Sequence, residues 1–327
     1  MKSEFWKKLK RPIMANAPMS NVTDEAFRQM FVKSGKPDVF WTEFVSVEAL
    51  LANKNNKRII ADLWFTKEEH PIVAQIFGSK PDQFEKAAKI ICDLGFDGID
   101  INMGCPDKSV EKQGAGAALI KNPELAKEII RATKRGAKKI PVSVKTRIGY
   151  SKNEIKKWIP VLLKEDISAL TVHLRTRNEM SKVKAHWELA KNIVNLRDKY
   201  SPKTLILCNG DINSLAEAKE KSKKYKIDGV MVGRGIFGNP WFFSEKTPSQ
   251  KEKLLRLVEH TELFEKLYKS NSKKKADRIK NFDVMKKHFK SYVSDFNNAK
   301  ELRVKLMQTK NAKEVKKIII NFIKENL

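Results

Sequence analysis

The sequence predicts an α/β protein: a (β/α)8 (TIM) barrel followed by a small C-terminal α-helical bundle domain. Three observations predict it. Eight short apolar runs recur along the chain, helix-start signals lie between them, and this alternation stops after Pro240-Trp241. Near-continuous apolar runs are the pattern of a parallel sheet covered on both faces. Eight β/α units fit a closed barrel better than a doubly wound sheet.

The strand runs fall at residues 12–19, 39–44, 72–77, 98–103, 141–147, 169–174, 205–209 and 229–233. Helix starts are marked by Thr23 ahead of Asp24-Glu25, Pro81-Asp82 ahead of 83–94, Asn122-Pro123 ahead of 124–135, and Asn213 ahead of 215–224. Each offers a side-chain cap, N-terminal acids or a proline in the first turn. In the tail, Ser249-x-x-Glu252 is a capping box ahead of Leu254, Val258, Phe264, Leu267 and Tyr268. Further helical stripes run from Ile279 to Phe296, through Leu302, Leu306 and Met307, and from Val315 to Ile323. The expected division is a barrel over residues 1–245 and a helical domain over 246–327.

The 327 residues carry 66 Lys+Arg against 39 Asp+Glu, a formal net charge of +27. That balance suits a polyanionic partner, although a Lys- and Asn-rich composition set by genome base content would produce it too. Residues 251–327 hold 21 Lys+Arg and 10 Asp+Glu, or +11 in 77 residues, against +16 in the first 250. Charge density roughly doubles in the tail, which reads as a polyanion-docking module. Three cysteines (Cys92, Cys105 and Cys208) cannot frame a disulfide-rich fold, and there is no CxxC or Cys/His cluster of zinc spacing. A reduced compartment without a metal site is expected. The basic N-terminus leads into no apolar segment, and no run approaches about 18 apolar residues. The expectation is therefore a cytoplasmic protein with no membrane span.

Chemistry in (β/α)8 enzymes sits at the C-terminal ends of the strands. There the sequence places Ala17-Pro18-Met19-Ser20 (strand 1), Gln75 (strand 3) and Asn102-Met103-Gly104-Cys105-Pro106 (strand 4). Lys145 follows on strand 5, His173 and Arg175 at strand 6, Asn209-Gly210-Asp211 at strand 7, and Gly233-Arg234-Gly235 at strand 8. Two glycine loops, a helix start and Arg234 on strands 7 and 8 suit a phosphate. Residues 233–238 match GxGxxG, but a dinucleotide fold needs another strand after the helix, and here the strands end. Lys145, His173 and Gln75 converge from three strands. A flavin mononucleotide accounts for all of them: phosphate on the last two loops, Lys145 at the edge that turns negative on reduction, Gln75 at the pyrimidine, Pro18 and Met19 under the rings. Cys92 and Cys208 read as apolar filler. Cys105, in a polar glycine-rich loop, would be mostly thiol at neutral pH given a reference value of about 8.5, and so a proton donor.

These motifs resemble the tRNA-dihydrouridine synthase family. The resemblance rests on Ala17-Pro18-Met19 with Thr23-Asp24, on Gln75-Ile76-Phe77-Gly78, and on Asp100 through Pro106. It continues in Gly114-Ala115-Gly116-Ala117-Ala118-Leu119, Val144-Lys145-Thr146-Arg147, His173 to Arg177, Asn209-Gly210-Asp211-Ile212, Gly233-Arg234-Gly235 and Met285-Lys286-Lys287-His288. It implies reduction of specific tRNA uridines to 5,6-dihydrouridine by FMN recharged with NADPH or NADH, with hydride going to C6 and a proton to C5. By matching position it implies Cys105 as the acid, and Pro18, Met19, Ser20, Gln75, Lys145, His173, Asn209, Gly210, Asp211, Gly233 and Arg234 around FMN. Asn102, Arg175 and Arg177 fall near the uridine and its phosphates. A basic helical domain gripping tRNA is implied, with no obligate protein partner and a monomer expected. Departures from the family pattern are Ser109 where a Lys or Arg usually follows the cysteine (Lys108 stands one earlier), Leu174 after the histidine, and Val183 and His186 before Trp187. Rival readings are an FMN barrel acting on a free pyrimidine or enone, a non-catalytic RNA-binding barrel, and the same reaction on ribosomal RNA.

Overall fold

A computed structural model describes residues 5–53, 56–269 and 279–327. Eight parallel strands form one sheet: β1 (Ile13–Asn16), β2 (Phe40–Ser46), β3 (Ile72–Phe77), β4 (Gly98–Met103), β5 (Val142–Arg147), β6 (Ala169–His173), β7 (Leu205–Asn209) and β8 (Gly229–Val232). The order β1-β8-β7-β6-β5-β4-β3-β2 curls the sheet until its edges meet. There a parallel bridge joins Ala15 to Val39. The Asn16 side chain substitutes for further backbone pairing, donating to the Trp41 carbonyl (3.0 Å) and accepting from the Trp41 N–H (2.8 Å).

Residues two apart on a strand share a face. Ala15 and Ala17, Val73 and Gln75, Leu207 and Asn209 are such pairs, and the lower member of each belongs to an apolar cluster with Trp6 and Trp41 that fills the barrel's lower half. Most of the polar side chains on this face lie toward the C-terminal ends, with Asp100, Ser143 and Thr171 buried just below them. The larger core lies outside the sheet, under the helices Glu25–Ser34 (α1), Pro81–Asp93 (α2), Pro123–Ala137 (α3), Ile155–Leu163 (α4), Ala190–Tyr200 (α5) and Leu215–Tyr225 (α6).

Pro81 opens α2 and Asn122 caps α3, as the sequence predicts. Two caps differ by one residue. Asp24, not Thr23, caps α1 through the Phe27 N–H (3.0 Å), because the Thr23 hydroxyl is occupied by the Met19 N–H (2.9 Å). Ser214, not Asn213, caps α6 through the Glu217 N–H (3.1 Å).

Beyond the sheet, α7 (Gln250–Tyr268) opens with the expected Ser249/Glu252 capping box. Helices α8 (Lys286–Tyr292), α9 (Ala299–Met307) and α10 (Ala312–Asn326) follow. Their stripes, among them Leu254, Phe264, Met285, Phe289, Val315 and Ile319, form a separate apolar cluster that takes in Ala26 of α1. His260 and His288 pack on Phe27 of α1, with ring centroids 6.0 and 5.4 Å away. Among the described residues, no helix is long and apolar enough to cross a membrane.

Candidate active site

A cavity of about 700 Å³ opens at the C-terminal ends of the strands. Of the site residues singled out from the sequence, all line it except Ser20 and Arg177. Ser20 lines the neighbouring hollow with Asp62, Asp107 and Ser109. Arg177 is turned to Glu111, with which it forms an ion pair.

The cysteine loop is held by a chain of side-chain hydrogen bonds. The Asn102 Oδ1 accepts from the Gly104 N–H (3.1 Å) and the Cys105 N–H (2.9 Å). Its Nδ2 donates to the Gln75 Oε1 (2.9 Å), and the Gln75 Nε2 donates to Asp100 (2.7 Å), which also accepts from the Ser143 hydroxyl (2.5 Å). A buried carboxylate is acceptor-only when ionised, so it orients both amides and leaves the Asn102 oxygen aimed at the loop. Burial pushes the Asp100 carboxyl up to about 6 against these bonds. Behind the loop, Gly116 has φ 62°, and a Cβ there would lie 2.8 Å from the Cys105 carbonyl, which accepts from the Ala117 N–H (3.0 Å). That close approach accounts for the small-residue run at 114–118. Burial also raises the Cys105 thiol, outweighing the Asp107 N–H and the cations that favour the thiolate. The sulfur is therefore protonated at neutral pH.

Cations surround that sulfur. Burial first, then the neighbouring Arg147, lowers Lys145 to about 8. Arg147, also lowered by burial, to about 10, donates to the carbonyls of Gly104 (2.8 Å), Thr176 (3.1 Å) and Met180 (3.3 Å). It thereby ties the cysteine loop to the loop after β6. Neither forms an ion pair among the described residues. Arg175 and Arg234 share one carboxylate, Asp211, which Arg234 reaches at 2.8 Å. Although partly buried, Asp211 is held below the usual carboxylate range by Arg175, the Ala185 N–H and Arg234.

His173 lies well below the ordinary imidazole value because it is buried and faces Arg147, Lys145, Arg175 and Arg234. Its Nε2 is 3.1 Å from the Arg175 Nη1. Arginine can only donate, so Nε2 accepts and the ring proton sits on Nδ1. The Asn209 amide donates to the Met231 carbonyl (2.7 Å). The two loop glycines differ in kind. Gly210, at φ 135°, is required by the fold, since a Cβ would meet the Ala185 Cβ at 2.7 Å. At Gly233 a Cβ would meet nothing nearer than 3.8 Å, so a side chain there would simply occupy cavity space.

Sequence reasoning assigned no part to Arg147, Asp100, Phe44 or Met180, yet Arg147, Phe44 and Met180 line the cavity and Asp100 anchors its hydrogen-bond chain. Arg147 and Asp100 were readable, standing two residues from Lys145 and Asn102 on the same strand faces. Phe44 and Met180 carried no local signal.

The model of the family described as dihydrouridine synthase matches residues 15–326. The chain belongs to that family. A Staphylococcus aureus (strain Mu50) protein named probable tRNA-dihydrouridine synthase is 45% identical over 326 residues, covering 98% of this chain and 96% of its own. A Bacillus subtilis (strain 168) protein named probable tRNA-dihydrouridine synthase 2 is 42% identical, covering 100% and 99%. As a member of this oxidoreductase family, the chain shows its departures around the cavity rather than in it. Ser109 bonds to Asp107 at the start of the short helix Lys108–Glu111, leaving Lys108 exposed. Leu174 is buried, Val183 is exposed, and His186 pairs with Glu179 at 2.9 Å.

Proposed function

We propose that this protein reduces uridines of tRNA to 5,6-dihydrouridine in the cytoplasm, with FMN resident in the barrel cavity and NADPH or NADH as the reductant. The residues present fit that cofactor. Ala17, Pro18 and Met19 offer an apolar wall to a ring system, and Lys145 offers an unpaired ammonium to an anionic ring edge. Arg234 and the open backbone at Gly233 suit a phosphate. Gln75 has one N–H and one lone pair left for the pyrimidine, and the His173 Nδ1 carries a proton to donate.

When bound, the flavin would supply hydride to C6 of the uracil. Charge then gathers toward C5 and the C4 carbonyl, and the Cys105 thiol donates its proton to C5, which completes the addition of two hydrogens across the C5–C6 bond. Lys145 and Arg147 stabilise the thiolate left behind until water returns the proton. Asn102 keeps the cysteine loop in place throughout. Arg175, held by His173 and Asp211, would reach toward the uridine, and Arg177 would exchange Glu111 for a phosphate. Lifting a base from its stack costs a few kcal/mol, which contacts between tRNA phosphates and the basic tail offset. Every residue named lies on one chain, so a monomer suffices.

The observation that carries this reading is the Cys105 thiol on the wall of a 700 Å³ cavity, kept protonated by burial, beside two cations, Lys145 and Arg147, with no ionic partner among the described residues. Its test is Cys105→Ala, with dihydrouridine in isolated tRNA measured by nucleoside mass spectrometry. FMN and tRNA affinities should hold while product formation falls by about 10²–10⁴-fold. Wild-type yield would remove the acid role, and turnover of a free pyrimidine undiminished by tRNA would replace the substrate.

A further inference from the structure

The loop joining β1 to α1 has two sides. Its inner side gives Ala17, Pro18 and Met19 to the cavity. Its outer side is gripped by buried polar groups, some of which belong to the helical tail. Asn21 has φ 54°, a left-handed turn that a non-glycine residue adopts at a cost, and its N–H is accepted by the Glu43 carboxylate on β2. The other Glu43 oxygen is bound by the ammonium of Lys280, from the segment between α7 and α8. Lys280 also reaches Asp62 at 2.8 Å and stands 5.2 Å above the Tyr268 ring. The Tyr268 hydroxyl accepts the Glu25 N–H (3.1 Å) in the first turn of α1.

Side chains of Glu43 and Lys280 are 3% and 7% exposed. A buried ion pair adds little net stability, but removing one partner leaves a desolvated charge that the site must expel, hydrate or neutralise. The acids outnumber the cation here. Burial holds Glu43 up at about 8 even with Lys280 present, and Glu43, Asp24 and Asp62 hold Lys280 above its ordinary value. Without Lys280, burial would push Glu43 further up, so that it would stay fully protonated or swing toward water. Either change alters the acceptor on which the Asn21 turn depends.

We propose that Lys280 is a positioning residue of the cofactor site. Through Glu43 it fixes the Asn21 turn, and with it the Pro18–Met19 wall of the cavity. The helical tail thus completes the flavin site as well as facing RNA. This rests on the flavin reading of the cavity given above.

The test uses the full chain as Lys280→Met and as the double variant Glu43→Gln/Lys280→Met, with FMN affinity read by fluorescence quenching and folding by circular dichroism. Lys280→Met should weaken FMN binding about tenfold or more while the protein stays folded. The double variant should return to within about threefold of wild type, since the amide that replaces the Glu43 carboxylate still offers an oxygen to the Asn21 N–H and no unpaired charge remains at that acceptor. Undiminished FMN affinity in Lys280→Met, or a double variant as weak as the single, would overturn the proposal. If Lys280→Met does not fold, the double variant decides alone by the same threefold criterion. A wild-type chain without FMN affinity would instead sink the flavin reading itself.

Discussion

At the barrel mouth Lys145, Arg147 and Arg175 are wholly or partly buried, only Arg234 is exposed, and few carboxylates answer them, whereas in the tail most cations are exposed and many sit beside an acid. Lys145 and Arg147 have no ionic partner among the described residues, and Arg175 and Arg234 divide one, Asp211. In the tail, Lys286 meets Asp283 (2.7 Å), Lys269 meets Glu265 (3.2 Å) and Lys316 meets Glu262 (3.0 Å), all near solvent. Burial makes Lys145 and Arg147 sensitive to their surroundings, and their titration is shifted accordingly. Exposed pairs are screened and individually worth about 0–1 kcal/mol. The same sign of charge therefore does two jobs. The barrel converges a few charges on one cavity, and the tail spreads many along a surface.

The sharpest way to break that contrast is Lys145→Met. Losing a buried charge-assisted contact should weaken FMN binding by about 10–100-fold, read by fluorescence titration at pH 7. Wild-type affinity should also fall as pH rises through about 8, where Lys145 in the open cavity gives up its proton. Bound FMN holds the proton more tightly, so the fall begins at or somewhat above that value. The methionine variant should show no such fall. Wild-type affinity in the variant, or identical pH profiles, would show that the buried cation does not face the ligand.

How far the sequence discloses this arrangement depends on how local the cause is. Strands β7 and β8 were plain because both faces are buried, which leaves unbroken apolar text such as Leu205-Ile206-Leu207-Cys208. Cys105 stood out because a thiol in a polar glycine loop has no packing reason to be there. Helix caps slipped by one residue at Asp24 and Ser214, where neighbouring side chains compete for the same role. The short helices Val47–Ala52 and Lys57–Ala61 are too brief to show a period. The Glu43–Lys280 contact joins residues 237 apart, and no local pattern can report it.

The junction between the two regions offers a second probe, through protons. His260 and His288 face each other at 4.8 Å between ring centroids, and neither Nε2 has a hydrogen-bond partner among the described residues. Burial, helped by Lys287, pushes His288 down to about 3, and burial with His288 pushes His260 well below its ordinary value. In the unfolded chain each would titrate near about 6.5. A depressed value means stability is intact above about 6.5 and lost as pH falls toward about 3, by up to about 1.4 kcal/mol per pH unit for His288. Glu43 tilts the opposite way, since its raised value favours the fold at low pH and weakens it as pH rises through about 8. The His288→Phe variant leaves Glu43 alone, so the difference between the two chains isolates the histidine pair. Between pH 6.5 and 4.5, denaturant midpoints of the variant should fall less than those of wild type. Parallel curves would mean that His288 meets water.

The tail itself should respond gently and in proportion. Lys313, Lys316 and Lys317 are exposed on α10, so replacing one by glutamine should cost little folding stability. If each meets a tRNA phosphate, the slope of log affinity against log salt should become shallower by roughly 0.7–0.9 per lysine replaced. The triple glutamine variant should then lose about two units of slope or more, with affinity falling a few-fold per lysine at moderate salt. Lys145→Met, measured the same way, should leave the slope unchanged if its partner is the proposed cofactor rather than a phosphate backbone. Filter-binding titrations between about 50 and 200 mM salt span the range in which counterion release dominates. A triple variant with the wild-type slope would move the RNA grip off α10. A changed slope in Lys145→Met would merge the two sets of cations into one RNA-facing surface and dissolve the distinction between them.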